Sequence, residues 1–249
     1  MWTFNLMCDE FYVASRLFFK LDLNPSRETL LHFFEQVRRA FPRLQRLRRR
    51  DDGTITLDEE PDLEGGRRYV RLGTNALRLG QLSPRGPEPV KAMADMVFEH
   101  APCHLSLSDL DYDRLEVVFG FDLEFAGNHD GLVGETLLGD SPLLSAMTGG
   151  GDAVIDCAPC LGVALSADCR TQAYLDVRGR TAMYELRSNE YETRVLSVSL
   201  TVRQDLRDSA PDQLAFAHHN LVETAERFAN ERVVPLVVRP LREAIATRQ

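Results

Sequence analysis

Leu115-Glu116-Val117-Val118-Phe119-Gly120-Phe121-Asp122-Leu123-Glu124-Phe125 decides how this chain is read. Every odd position is apolar, whereas Glu116, Asp122 and Glu124 occupy even ones. Side chains of a strand point alternately to opposite faces, so this pattern is a strand with one face packed and one wet. Antiparallel sheets that leave one side open produce such strands; parallel sheets, covered on both sides, do not.

Upstream, Phe11, Val13, Leu17, Phe19, Leu21 and Leu23 share one parity, and Tyr12, Arg16, Lys20 and Asp22 the other. A strand over 11–23 is expected, with a short strand over 1–7 before it. Asn24-Pro25-Ser26 ends it, and Leu30, Phe33, Phe34, Val37 and Phe41 follow at helical spacing. A helix over 26–40 is predicted, stopped by Pro42. Residues 44–58 read as a hairpin turning at Asp51-Asp52-Gly53. Residues 61–66 read as a polar loop, and 67–79 as one strand region bent at Gly73. A helix over 88–100 follows, with Val90, Met93, Ala94 and Val97 inward and Lys91 and Asp95 on its wet face. The order strand, helix, hairpin, strand, helix, strand resembles the ferredoxin-like β-α-β-β-α-β unit, decorated by one extra hairpin strand.

Beyond Phe125 a short helix is expected within 128–147, interrupted near Gly139 and Pro142, then a glycine-rich loop over 148–152. Strands are expected over 153–167, 172–177, 182–186 and 194–203, joined as a meander. Pro211 and Asp212 would open a long helix with Leu214, Ala217, Leu221, Ala225 and Phe228 as its stripe. The apolar run 233–240 is broken by Pro235 and Pro240, with a short final helix from Leu241. The expected fold class is α+β with antiparallel sheets: a ferredoxin-like half over 1–126 and a meander with a long helix over 127–249. The outlines of the halves match, which raises a distant tandem duplication. Leu115–Phe125 can serve both halves, and the two would then form one continuous body.

Composition narrows the function classes. The chain has 249 residues, 44% hydrophobic and 8% aromatic, which is ordinary globular usage. A formal charge of −9 disfavours general binding to nucleic acid or anionic membranes. Lys20 and Lys91 are the only lysines; every other basic residue is arginine. Met1–Cys8 runs straight into Asp9 and Glu10, so no targeting segment is expected. Apolar runs are too short for a membrane helix, and five scattered cysteines suit a reducing cytoplasm.

Several constellations are candidates for chemistry. Cys157-Ala158-Pro159-Cys160 has redox-site spacing, but strand-like sequence follows where the chemistry needs a helix N-terminus. Cys157, Cys160 and Cys169, with Cys103-His104, are weighed as zinc ligands, yet a second tight pair is missing. No metal and no cofactor is expected. Arg46, Arg48, Arg50, Arg67, Arg68 and Arg71 are the anion-binding candidates, within a run that also holds Arg38, Arg39, Arg43 and Arg49. The carboxylates Glu116, Asp122 and Glu124, flanked by Asp111, Asp113 and Asp130, read as a charged wet face. His218 reads as a packed side chain, and His219 can pair with Glu223 one turn on.

No motif specific to one family stands out. The leading expectation is a non-catalytic protein that binds itself or another protein, through sheet surface or the long helix, with 233–241 as an apolar contact. The first alternative is an enzyme or sensor holding a phosphorylated or anionic small molecule on the arginines. The second is RNA binding, which needs aromatics exposed on the sheet; Tyr69 is the obvious one.

Overall fold

The computed structural model describes residues 2–61, 66–149, 152–207 and 213–248. It is a mixed α+β structure built on a nine-stranded sheet. The strands are β1 (Glu10–Phe19), β2 (Arg46–Arg49), β3 (Ile55–Asp58), β4 (Arg67–Leu72), β5 (Ala76–Leu82), β6 (Tyr112–Phe125), β7 (Cys160–Ala164), β8 (Thr171–Arg178) and β9 (Arg194–Asp205). Their order is β2-β3-β4-β5-β1-β6-β9-β8-β7, antiparallel throughout. β1 and β6 pair along the centre, so one sheet runs through residues from both halves of the chain.

The helices are α1 (Arg27–Ala40), α2 (Pro87–Leu105), α3 (His129–Leu138), α4 (Pro142–Met147), α5 (Met183–Ser188), α6 (Leu214–Phe228) and α7 (Arg239–Ala246). Ser26 caps α1 by accepting from Thr29 N–H at 3.1 Å, with Pro25 just before the cap. α2 runs through Pro102 and stops at Ser106, which takes the left-handed conformation at φ 54°. α6 passes into a π-helical stretch, Ala229–Val238, and then α7 with helical backbone at each junction. A proline clashes with the preceding turn of an α-helix; the wider π turn carries Pro235 without ending the helix.

The core lies where the helices meet the odd-parity face of β1 and β6. Phe11, Leu17, Leu115, Phe119, Phe121 and Leu123 are buried there. Trp2 and Phe4 close the cluster, with Trp2 edge-on to Phe11 and Phe119 at 5.7 and 5.1 Å. α6 packs on β6 and β9, α2 on α1 and α6, and α3 on α7. Ser15 Oγ and His218 Nε2 lie 2.7 Å apart between β1 and α6, both buried. Burial, then His219 and Lys91, push the His218 pKa down to about 3. Among the described residues no helix is long and apolar enough to cross a membrane.

Several sequence expectations change. Residues 4–6 form a 3-10 turn, not a strand, and Leu21 lies beyond β1, 71% exposed. The 67–79 strand is two strands, because Gly73 N–H reaches back to Ala76 O and the chain reverses. Strand 153–167 shrinks to Cys160–Ala164. Residues 182–186 enter a helix, since Glu185 bonds the Ala182 N–H at 2.8 Å and closes its first turn. Lys91 and Asp95 face α6: Lys91 bonds Glu223 at 2.8 Å, and His219 bonds Asp95 at 2.7 Å in place of Glu223. The helix start at Pro211 and Asp212 lies outside the described residues, as do 62–65 of the polar loop and 150–151 of the glycine-rich one.

Candidate functional site

With α2, α6 and the π-helical stretch on the odd-parity face, the even-parity face of the central strands carries the side chains that point away from the core. Its floor is small. Ala14, Gly80, Val118 and Gly120 are buried beneath long neighbours. Three tyrosines lie flat on glycines of the adjacent strand. A Cβ at Gly80 would fall 2.1 Å from the Tyr69 ring, one at Gly120 2.1 Å from Tyr12, and one at Gly162 2.5 Å from Tyr174. Glycine is required at these positions because the rings occupy the space of a side chain. The Tyr12 hydroxyl also bonds Ser199.

Guanidinium groups cap two of these rings. Arg71 lies 4.0 Å over Tyr69, and Arg203 lies 4.4 Å over Tyr174 while bonding its hydroxyl at 2.6 Å. Arg114 sits 3.8 Å over Phe18 on the same face. Such contacts are favourable cation–π interactions.

Register then lines up the arginines across the strands. Arg71 of β4 stands opposite Arg78 of β5, and Arg78 opposite Arg16 of β1. Beyond Arg16 the line continues through Glu116 to Arg203. Like charges directly opposite one another destabilise a sheet, and among the described residues no carboxylate stands between Arg71, Arg78 and Arg16 in the register. Glu116, the nearest, is bonded by Arg114 at 2.9 Å and is only 3.9 Å from Arg16. Burial first, then the charges of Arg50 and Arg67, push the Arg71 guanidinium below its ordinary pKa.

The six arginine candidates divide. Arg46, Arg48, Arg67 and Arg71 reach the open face by register. Asp58, buried, takes Arg48 at 2.5 Å and also Arg67. Arg46 approaches Glu60 at 3.6 Å. Arg68 points to the helix side, where it clasps Glu59 at 2.9 and 2.5 Å and covers Phe41 at 5.0 Å. Arg50 belongs to the hairpin turn, its N–H bonded to Thr54 O. A polar cleft of about 470 Å³ lies at the end of β8 and β9, lined by Arg114, Arg170, Arg203 and Arg207 together with Asp113, Asp168 and Asp205.

The three cysteine candidates stand in different local settings. Cys160 opens an edge strand, and Cys169 sits in a turn at φ 58°. Burial, then Asp130 and Asp156, raise the Cys157 pKa, which is opposite to activation. Asp130 instead accepts the Cys157 N–H at 2.8 Å and pins the loop to α3. The carboxylates also disperse: Asp111 caps Ser108, and Glu10 faces Asp122 across strands, both pKa values raised chiefly by burial. Among the described residues no group of three or more His, Cys, Asp or Glu is placed to hold a metal ion. The 233–241 tail is packed along one side, with Val233, Val234, Val238 and Leu241 buried, and leaves Leu236 67% exposed.

Arg16, Arg78, Arg203, Tyr12 and Tyr174 were not among the sequence candidates. The signal was present in strand parity, since Tyr12 and Arg16 share the wet side of β1. Reading 67–79 as one strand put Arg71 and Arg78 on opposite faces; the turn at Gly73 brings them onto one. The chain matches no protein-family model and no curated protein.

Proposed function

We propose that this is a binding protein whose contact surface is the open face of the sheet. The observation that carries the reading is the row of unseparated arginines, Arg71, Arg78 and Arg16, beside tyrosines laid flat on glycines. Tyr and Arg are the residues enriched where macromolecules make their energetically dominant contacts. A sheet that opposes three cations accepts a cost in the free protein, which a bound anionic group removes. The tail buries most of its apolar side chains, which favours the sheet face over it as the contact surface.

The neighbour order β4-β5-β1-β6 supports a ferredoxin-like N-terminal half with β2 and β3 as an added hairpin. In the second half β6, β9 and β8 stand as β1, β5 and β4 do in the first, which supports a duplication over 1–126 and 127–249. Free thiols at Cys8, Cys103, Cys157, Cys160 and Cys169 support a cytoplasmic setting. The cleft at Arg114 and Arg203 supports the second reading, an anionic small molecule, although its carboxylates offset much of its charge.

The test is photo-crosslinking in cells. A benzophenone side chain replaces Arg46 or Thr201 on the open face, or Arg227 on α6. Adducts from 46 and 201 and none from 227 are expected. Adducts from 227 alone, or none from the face, would end the proposal.

A further inference from the structure

We propose that the open face binds single-stranded nucleic acid, with Arg71, Arg78 and Arg16 on its phosphates. This rests on the reading of the sheet face as the contact surface and adds the chemistry of the partner.

Charge on this face is arranged as a line. From Arg71 on β4 to Arg16 on β1 the row crosses two strand spacings. At ~4.8 Å each that is about 10 Å, the span of a short run of neighbouring phosphates. Arg71, Arg78 and Arg16 stand at the pitch of adjacent strands, and Arg78 is exposed. Guanidinium forks accept phosphate oxygens two at a time. An acidic protein with net charge −9 has no general attraction for nucleic acid, so contact is confined to this row.

The flanks match the bases. Register places Tyr69 and Tyr174 one step along their strands from the row, and Tyr12 further along on the same side. Arg71 sits 4.0 Å from the Tyr69 ring centroid, and Arg203 sits 4.4 Å from that of Tyr174 while bonding its hydroxyl and Gln172. Bases of single strands stack on aromatic rings and on guanidinium planes. An acidic peptide would meet the charge and leave the aromatic side chains without a stacking partner. Farther along, Glu10, Asp122 and Glu124 make the face acidic and would repel a second phosphate strand. The expected ligand is therefore single-stranded, not duplex.

The experiment is fluorescence anisotropy with fluorescein-labelled rU12, dT12 and a 12-bp duplex, from 20 to 200 mM NaCl. Neutralising three phosphates gives a slope of log affinity against log salt of about −2, from roughly −0.7 per contact. Arg78→Gln should reduce the slope by about 0.7 and weaken binding several-fold. Arg16→Gln, a half-buried position in the same row, should act alike, and Arg227→Gln on α6 should change nothing. Comparison of rU12 with dT12 assigns RNA or DNA. Duplex binding equal to single-strand binding overturns the inference. So does poly-glutamate competing as well as unlabelled oligonucleotide, which would point to an acidic protein. No binding at 20 mM NaCl also overturns it; open-face adducts in the crosslinking test would then show that only the partner chemistry was misread.

Discussion

Arg78→Gln should make the free protein more stable. Arg78 is exposed in the middle of the row, opposite Arg71 on one side and Arg16 on the other. Opposed like charges on neighbouring strands cost roughly 0.2–1 kcal/mol per pair, and solvent keeps exposed pairs in the lower part of that range. Removing two such pairs should gain about 0.5 kcal/mol, or about 1–2 °C in Tm for a chain of this size. Urea unfolding at 25 °C reads the gain as a shift in midpoint at constant slope. Salt separates the cause from others, because the screening length falls from about 10 Å at 0.1 M to about 3 Å at 1 M. The gain should shrink markedly at 1 M NaCl. Arg16→Gln should gain less, since it also gives up the 3.9 Å approach to Glu116. A neutral or destabilised Arg78→Gln at low salt, or a gain that 1 M salt leaves intact, would refute the reasoning. A cation that costs stability where it stands is a position held for another purpose.

Three further outcomes follow from the geometry. His218, its pKa lowered to about 3 by burial, stays neutral while the unfolded side chain titrates near 6.5; its stabilisation is complete above pH 6.5 and is lost as pH falls toward 3. Between pH 7 and 5 the protein should lose ~2 kcal/mol that His218→Gln does not lose, and equal losses in urea midpoints would dismiss the buried neutral imidazole. Gly80→Ala would put a methyl 2.1 Å from the Tyr69 ring and should cost ~1–3 kcal/mol. Gly73→Ala, whose nearest contact is 3.7 Å, should stay within ~0.5 kcal/mol, and the same thermal shift for both would mean the ring does not sit on Gly80. Asp58→Ala leaves Arg48 and Arg67 without their shared carboxylate and should cost ~2–4 kcal/mol in chemical unfolding, against a near-zero cost if the cluster is only a surface pair.

Much of the fold was legible because burial writes its period into the chain. β6, β1, β9 and the stripes of α1, α2 and α6 came from alternation or helical spacing, and each buries the face expected. What failed was local. Gly73 marks a reversal that composition does not distinguish from a bend, and Glu185 closes a helical turn within a segment that alternates like a strand. The site was less legible for a reason of pairing. The run of arginines near residue 50 drew attention by density, yet Asp58 and Glu59 neutralise much of it. Arg16 and Arg78 lie 62 positions apart and meet only through register. Carboxylate partners and cross-strand neighbours are long-range facts, and single-strand patterns hold neither.

The most direct test of the open face as contact surface is hydroxyl-radical footprinting. Tyrosine oxidation is compared between the isolated protein and its complex with the partner recovered by crosslinking. Tyr12, Tyr69 and Tyr174 should lose reactivity on binding, while Tyr184, 58% exposed and off that face, should keep it. Protection at Tyr184 with the three open-face tyrosines unchanged would contradict it.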